Sequence, residues 1–507
     1  MRRQSGLLLH PTSLPGPEGI GTLGAQARRF VDALERAGQQ WWQVLPLNPT
    51  ELFNSPYMTS SALAGNPLLI DLETCIEAGW VGRELLDHAP QSTDPSQVDF
   101  AALLPWKRGA LATVWEGFKA KATTEEHEAL TAFRRAEAGW LEDFALFMVL
   151  GQAHGEQPWT DWEPPLRDRD PAALDQARRQ HHDAIGAVCF EQYVVFSQWE
   201  ALKSYAHERG VSFIGDIPIF VSHNSADVWV NRDSFFLDEV GQPTVVAGVP
   251  PDYFSATGQR WGNPLYRWDH MRANGFAWWI ERFRLCLRMV DRVRVDHFRG
   301  FEAYWEIPAD QPTAIDGAWK PGPGRMLFDT VSDALGELPI IAEDLGVITP
   351  EVEELRDGLG LPGMKILQFA FGDGHHNGYL PHNFAHAQCV AYTGTHDNNT
   401  SIGWYQTASD RTTHHMRIYF NTDGRDAAWD LIRGAWLSVA ELAIAPVQDL
   451  LSLDATARMN TPGQAEDNWS WRMRPNALTD GHLDRLRHLT ELAGRTAPPT
   501  SHIASDA

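Results

Sequence analysis

Eight short runs of apolar, β-branched and aromatic residues recur along the chain, at 6–10, 42–47, 211–217, 290–296, 339–343, 364–371, 389–393 and 442–450. They are near-continuous rather than strictly alternating, the pattern of strands buried on both faces of a parallel sheet. Helical periodicity separates many of them. Over 25–37, Phe30, Leu34 and Ala37 fall on one stripe, and Gly38 follows as a stop. Over 276–289, Trp279, Phe283 and Cys286 or Leu287 share a side, and the pattern leads straight into the fourth run. Helical patterns over 190–208 and 426–441 precede the third and eighth runs. Strands alternating with helices predict a parallel α/β fold, and eight of them predict a closed (β/α)8 TIM barrel.

Two intervals are too long for simple loops. Residues 48–186 are largely helical by pattern, as in 130–150, where Trp140, Phe144 and Phe147 recur. Residues 218–272 are rich in Gly, Pro, Asn and aromatics, as a ligand-covering segment would be. Both leave the carboxyl ends of strands, where barrels build their sites. The expected architecture is one catalytic unit over 1–495, a TIM barrel with large, mostly helical insertions after strands 2 and 3. A polar, disordered tail is expected over 496–507.

Charge narrows the partners. A net charge of −24 over 507 residues argues against nucleic acid or an anionic membrane and is compatible with a neutral ligand. The apolar run at 6–9 is too short for a secretory signal, and no run approaches the roughly 18 apolar residues of a membrane span. Cys75, Cys189, Cys286 and Cys389 lie far apart, with neither zinc spacing nor a disulfide framework, which suits a reducing cytoplasm. The 21 Trp and 23 Phe serve the core, and they also suit a sugar site, because pyranose rings present apolar C–H faces to aromatic planes.

The densest chemistry lies in VDRVRVDHFRGF, residues 290–301. Residues two apart on a strand share a face, so Arg294 and Asp296 point the same way. A cation beside a carboxylate favours its ionised form, which a nucleophilic or charge-stabilising carboxylate needs. An ion pair that only holds the fold answers to the same residues. Further polar groups collect at strand ends: Asp216 on the third, His297 beside Asp296 on the fourth, Glu343 and Asp344 on the fifth. Thr395, His396 and Asp397 follow the seventh. Glycoside cleavage needs one carboxyl as general acid and one as nucleophile or base, about 5–5.5 Å apart for retention of configuration. A third acid can bind sugar hydroxyls and stabilise the oxocarbenium-like charge. Asp and His also bind divalent ions, but no HxH on a strand and no HExxH is present, so neither metal nor cofactor is expected.

Taken in order, the following runs resemble the amylomaltases, the 4-α-glucanotransferases of glycoside hydrolase family 77 in the α-amylase clan. They are GLLLHPTSLPGPEGIGTLG (6–24), WWQVLPL (41–47), SPYMTSSALAGNPLLIDL (55–72), GDIPIFVSHNSADVW (215–229), GVPPDYFSATGQRWGNPLY (248–266) and VRVDHFRGF (293–301). IIAEDLG (340–346), MKILQFAFGDG (364–374), YLPHNF (379–384), YTGTHDNNT (392–400), PVQDLL (446–451) and ARMNTPG (457–463) continue the series. The resemblance spans about residues 6–475. It implies that Asp296 is the nucleophile, with Arg294 holding it ionised, that Glu343 is the general acid/base and that Asp397 stabilises the transition state. It also implies that His396, His297 and Asp216 serve the sugar beside them, and that Tyr253, Phe254, Gln259 and Trp261 form a lid over the acceptor side. Ser55 and Tyr57 fall where the first insertion reaches the cleft, Phe369 and Asp373 match positions near the acceptor, and Asn468 belongs to a late Asn-Trp motif.

The implied substrates are maltooligosaccharides, amylose or other α-1,4-glucans. The implied reaction is transfer of glucan segments by a retaining double displacement. An α-1,4-glucan hydrolase of the same clan and a non-catalytic glucan-binding barrel are the competing readings. The chain departs from the family pattern at Asn54, where an acid is common, and at Gly378, where proline is. A third departure is Arg292, at an inward-facing position that is usually apolar.

Overall fold

The computed structural model describes residues 3–51, 54–90, 92–251, 255–464 and 466–496. Tyr253, Phe254 and all of the predicted tail beyond Thr496 lie outside the described residues. In chain order the strands are β1 (Gln4–Leu8), β2 (Trp41–Gln43), β3 (Ser212–Ile217), β4 (Val245–Val249), β5 (Gln259–Pro264) and β6 (Arg292–Val295). They continue as β7 (Ala303–Pro308), β8 (Ala318–Pro321), β9 (Ile340–Ala342), β10 (Gly363–Ile366), β11 (Cys389–Tyr392) and β12 (Leu442–Pro446).

Eight strands pair in parallel in the order β10-β11-β12-β1-β2-β3-β6-β9. Between the two end strands, the N–H of Ala342 donates to the carbonyl of Pro362 at 2.9 Å and that of Met364 to Asp344 Oδ1 at 2.7 Å. These bonds close the sheet into the (β/α)8 barrel that the eight apolar runs predict. Every residue of β11 and β12 is buried, which is why these runs show no alternation. Several strands are shorter than their apolar runs. The run 42–47 contributes only Trp42 and Gln43 to β2, ahead of Pro46, and 442–450 ends its strand at Pro446, because proline offers no N–H to continue a ladder.

Helices Ala25–Arg36, Ala277–Met289 and Ala427–Leu437 lie where the periodicity predicts them, while His182–Glu208 begins well before residue 190. The pattern over 130–150 resolves into two helices, Thr124–Ala136 and Leu141–Ala153. They meet at a corner where Glu137 accepts from Trp140 Nε1 at 2.8 Å and from Arg288 Nη1 at 2.6 Å. The insertion after β2 has its own core around Leu72, Trp80, Val114, Phe118 and Phe190. The main core runs without a break from barrel strands to insertion residues such as Trp140 and Phe144.

The segment after β3 departs from a mostly helical reading. Short helices Ala226–Val230 and Trp268–Ala273 flank β4 and β5, which join β7 and β8 in an antiparallel sheet of order β5-β4-β7-β8. A Cβ on Gly248 would meet the carbonyl oxygen of Gln259 at 2.2 Å, so only glycine allows the close approach of β4 to β5.

Arg292 lies at the amino end of the barrel, away from the carboxyl rim. Its guanidinium pairs with Glu441 at 3.3 Å and sits 5.2 Å from the ring centre of Trp41. Among the described residues no helix is long and apolar enough to cross a membrane, and the four cysteines are unpaired.

Candidate active site

Arg294 is the hub of the carboxyl rim. It is 3% exposed and projects from β6 between two acids: Nη1 donates to Asp216 Oδ2 and Nη2 to Asp296 Oδ1, each at 2.6 Å. The two acids together outweigh burial and hold the guanidinium well above its ordinary range. Asp296 continues the ladder beyond the strand, its N–H donating to the carbonyl of Ile217 at 2.9 Å. Asp216 sits behind this pair and does not line the cleft. Burial pushes its carboxyl up to about 7 against the pull of Arg294. The Tyr57 hydroxyl donates to Asp216 Oδ2 at 2.7 Å, and burial raises the phenol well above its usual value, so it stays a donor. Breaking a buried pair of this kind by removing one partner costs about 3–5 kcal/mol, because the other charge is left uncompensated.

The turn after β6 is built for Glu343. His297 adopts a left-handed backbone, φ +50°, and its N–H donates to Glu343 Oε2 at 2.8 Å. From the other side the N–H of Leu345 donates to Oε1 at 2.8 Å. These donors favour the carboxylate, but burial and the negative charge of Asp296 are stronger and push Glu343 up to about 8. Glu343 is therefore protonated at neutral pH. Asp344 turns away from the site into a structural pair with Arg356 at 2.5 Å.

Asp397 follows β11. Its Oδ1 accepts from Asn460 Nδ2 at 2.6 Å and lies 3.3 Å from His396 Nε2, and its carbonyl accepts from Arg458 at 2.5 Å. The His396 ring stacks on Tyr57 at 5.2 Å, and burial lowers its pKa, so the imidazole is neutral.

A cavity of about 370 Å³ gathers Ser55, Tyr57, Gln259, Trp261, Asp296, His396 and Asp397 with residues of the 460–464 loop. Trp261 sets its ring edge-on to His297 at 4.9 Å, and its Nε1 donates to Gln259 at 3.1 Å. Burial lowers His297 to about 4.

Of the described residues predicted from the sequence, Glu343, Arg294, Asp216 and His297 do not line this cavity, and neither do Asn468, Phe369 and Asp373. Asn468 is a brace: Oδ1 accepts from the N–H of Thr461, and Nδ2 donates to the carbonyl of Gln464, each at 2.8 Å. Phe369 is 41% exposed and meets the edge of Tyr379 at 5.6 Å, and Asp373 is exposed in the following loop. Sequence reasoning missed Asn460 and Tyr379, and it took in Trp469 only as part of the late Asn-Trp motif. Trp469 packs near both Tyr57 and His396, and Tyr379 is pushed up to about 12 by burial and by the charges of Asp344 and Glu343. Each lies in or beside a run carrying the resemblance, but a loop amide or ring has no periodicity to single it out. Among the described residues no group of three or more His, Cys, Asp or Glu side chains is placed to hold a metal ion.

Comparison with known proteins agrees along the whole chain. A family model described as 4-alpha-glucanotransferase matches residues 9–479. A 4-alpha-glucanotransferase of Thermus thermophilus is 52% identical over 504 residues, 97% of this chain and 99% of the relative. A chloroplastic/amyloplastic 4-alpha-glucanotransferase of Solanum tuberosum is 42% identical over 97% of this chain and 87% of its own length. The structure of an amylomaltase from Streptococcus agalactiae in complex with acarbose superposes with a TM-score of 0.95 at 39% identity, covering 98% of this chain and 100% of that one.

Proposed function

From the premise that this chain belongs to glycoside hydrolase family 77, the 4-alpha-glucanotransferases, we infer the roles of its residues in moving α-1,4-glucan segments from donor to acceptor. One observation carries the reading. Asp296 lines the cavity with its carboxylate bonded to a guanidinium, and a second carboxyl, Glu343, is raised to about 8 by burial and by the charge of Asp296. Asp296 attacks the anomeric carbon while Glu343 protonates the departing glycosidic oxygen. The shortened glucan leaves, and a covalent glucosyl–enzyme remains. Glu343, now a carboxylate, takes the proton from the 4-hydroxyl of an acceptor glucan, which attacks and restores the α-linkage. Asp397, held by Asn460, compensates positive charge at the ring and binds hydroxyls together with His396.

Asp216 and Tyr57 act through Arg294, by fixing it against Asp296. Transfer prevails over hydrolysis when the acceptor and the surrounding side chains exclude water. The indole of Trp261 and the 460–464 loop narrow the cavity for this purpose. Phe369 and Asp373 attend the acceptor. The continuous core supports taking 1–495 as one catalytic unit with insertions 48–186 and 218–272. The unpaired cysteines fit a cytoplasmic setting.

Incubation with maltotriose tests the reaction. Glucose and longer oligosaccharides are expected, with reducing ends nearly constant, whereas a steady rise in reducing ends would assign hydrolysis instead. Asp296→Asn is expected to lose at least about 10³-fold in rate, as loss of a covalent nucleophile does; near-wild-type turnover would remove it from that role.

A further inference from the structure

We propose that Arg299 is a positioning residue for the general acid/base, bracing together the two turns whose backbone N–H groups hold the carboxyl of Glu343. The proposal rests on the assignment of Glu343 made above. One turn follows β6 and supplies the N–H of His297; the other follows β9 and supplies the N–H of Leu345. Arg299 lies just beyond His297, in the short helix Phe298–Phe301, and its Nη1 donates to the carbonyl of Val347, just beyond Leu345. This bond crosses from one turn to the other.

The surroundings show why the brace matters. Val347 is 58% exposed, Gly346 is left-handed at φ +88°, and among the described residues no backbone–backbone hydrogen bond ties either of them down. The guanidinium is the tether of that loop. Arg299 itself is 6% exposed, and no described carboxylate forms an ion pair with it. Burial lowers its pKa from the usual arginine range, and Glu302 offsets only part of this. A buried cation without a paired anion is unfavourable, and an apolar residue would pack there at lower cost. What arginine adds is a planar donor that reaches the Val347 carbonyl while stacking on an aromatic face. That face is Trp319 of β8, its ring centre 3.8 Å from the guanidinium carbon. β8 belongs to the same antiparallel sheet as β5, which carries Gln259 and Trp261 into the cavity. The brace therefore also seats the lid sheet against the acid/base turn.

Without the brace the two N–H donors hold the carboxyl less firmly, and their pull toward the ionised form weakens. The test is the pH dependence of maltotriose disproportionation by Arg299→Met, which keeps length and loses the donor, and by Arg299→Lys, which keeps a donor and loses the plane. Thermal unfolding of both variants is followed in parallel. The alkaline limb of the kcat profile is expected to move upward by about 0.5–1 pH unit in Arg299→Met, since weaker hydrogen bonds to the charged form raise a carboxyl pKa. Turnover at the optimum is expected to fall about 10-fold from misplacement of the acid, with KM for maltotriose little changed. Arg299→Lys should fall between this variant and wild type. A profile of wild-type shape, lowered equally at every pH, would mean a purely structural arginine and overturn the proposal. If Arg299→Met does not fold, Arg299→Lys decides alone: a shifted limb supports the brace and an unshifted one sinks it. Glu343→Gln is assayed alongside. If it retains wild-type transfer, the assignment of Glu343 fails, whatever the Arg299 variants do.

Discussion

At Glu343 opposing effects meet, and their balance has two measurable consequences. Burial and the charge of Asp296 raise the carboxyl to about 8, while two N–H donors and Arg294 pull it down. A group raised from 4.5 in the unfolded chain to about 8 in the folded one holds a proton that unfolding releases. The stability contributed by that proton is whole below pH 4.5 and is lost as pH rises through about 8. Glutamine mimics the protonated form. The melting temperature of Glu343→Gln is therefore expected to exceed that of wild type by a margin that grows from pH 5 to pH 8, although transfer is lost. A margin that does not change with pH would show that the carboxyl is already ionised. If Glu343 has the role proposed for it, wild-type kcat should decline as pH passes about 8, where its carboxyl loses the proton. Arg294 and Asp296 were legible from strand alternation alone, since residues two apart share a face. The depth of Asp216 was not: a strand-end acid reads the same whether it faces substrate or, as here, an arginine and a tyrosine behind the cleft.

Among the elements, those buried on both faces were readable and those half-exposed were not. The barrel strands write themselves as apolar runs because each lies between the barrel interior and the helices outside. The sheet of β4, β5, β7 and β8 left no such mark. All four residues of β8 are exposed, only the last two residues of β5 are buried, and glycines interrupt the pattern where strands approach closely. The loop 460–464 is likewise irregular, and Asn468 gives it shape by fastening Thr461 and Gln464. Because the side chain is spent on this bracing rather than on the cavity, Asn468→Ala should act through the loop. Loss of two hydrogen bonds at a half-buried site costs about 1–2 kcal/mol locally. The expected outcome is a raised KM for maltotriose and a larger share of hydrolysis, as water enters past Thr461 and Gln464, with the pH profile unchanged. Kinetics with glucose release and reducing ends followed together would show it; a fall in kcat alone would instead place Asn468 in the chemistry.

The molecule as a whole separates its chemistry from its closure. The acids stand at the carboxyl ends of the strands, whereas the amino ends are locked by arginines that sequence periodicity leaves unexplained. Arg292 pairs with Glu441 there, and Arg495 closes the same face from the far end of the chain. Arg495 is fully buried, and its guanidinium donates to the carbonyls of Trp436 and Gln4 at 2.7 Å, of Ala440 at 3.0 Å and of Ser438 at 3.2 Å. It thereby joins the helix Asp480–Leu492 to β1 and to the turn before β12. Burial lowers this side chain to about 9, which still leaves it charged at neutral pH. Arg495→Met keeps the length and removes every donor, leaving buried carbonyls unpaired. The loss is expected to be about 2–4 kcal/mol, the range for breaking a buried hydrogen-bond network. Because the rim lies at the opposite end of the barrel, KM for maltotriose should be unaltered in the protein that remains folded. Hydrogen exchange should show the amides of Asp480–Leu492 losing protection first, ahead of the barrel strands. Uniform loss of protection, with KM raised in parallel, would instead mean that the two ends of the barrel are a single cooperative unit and that the rim depends on this latch.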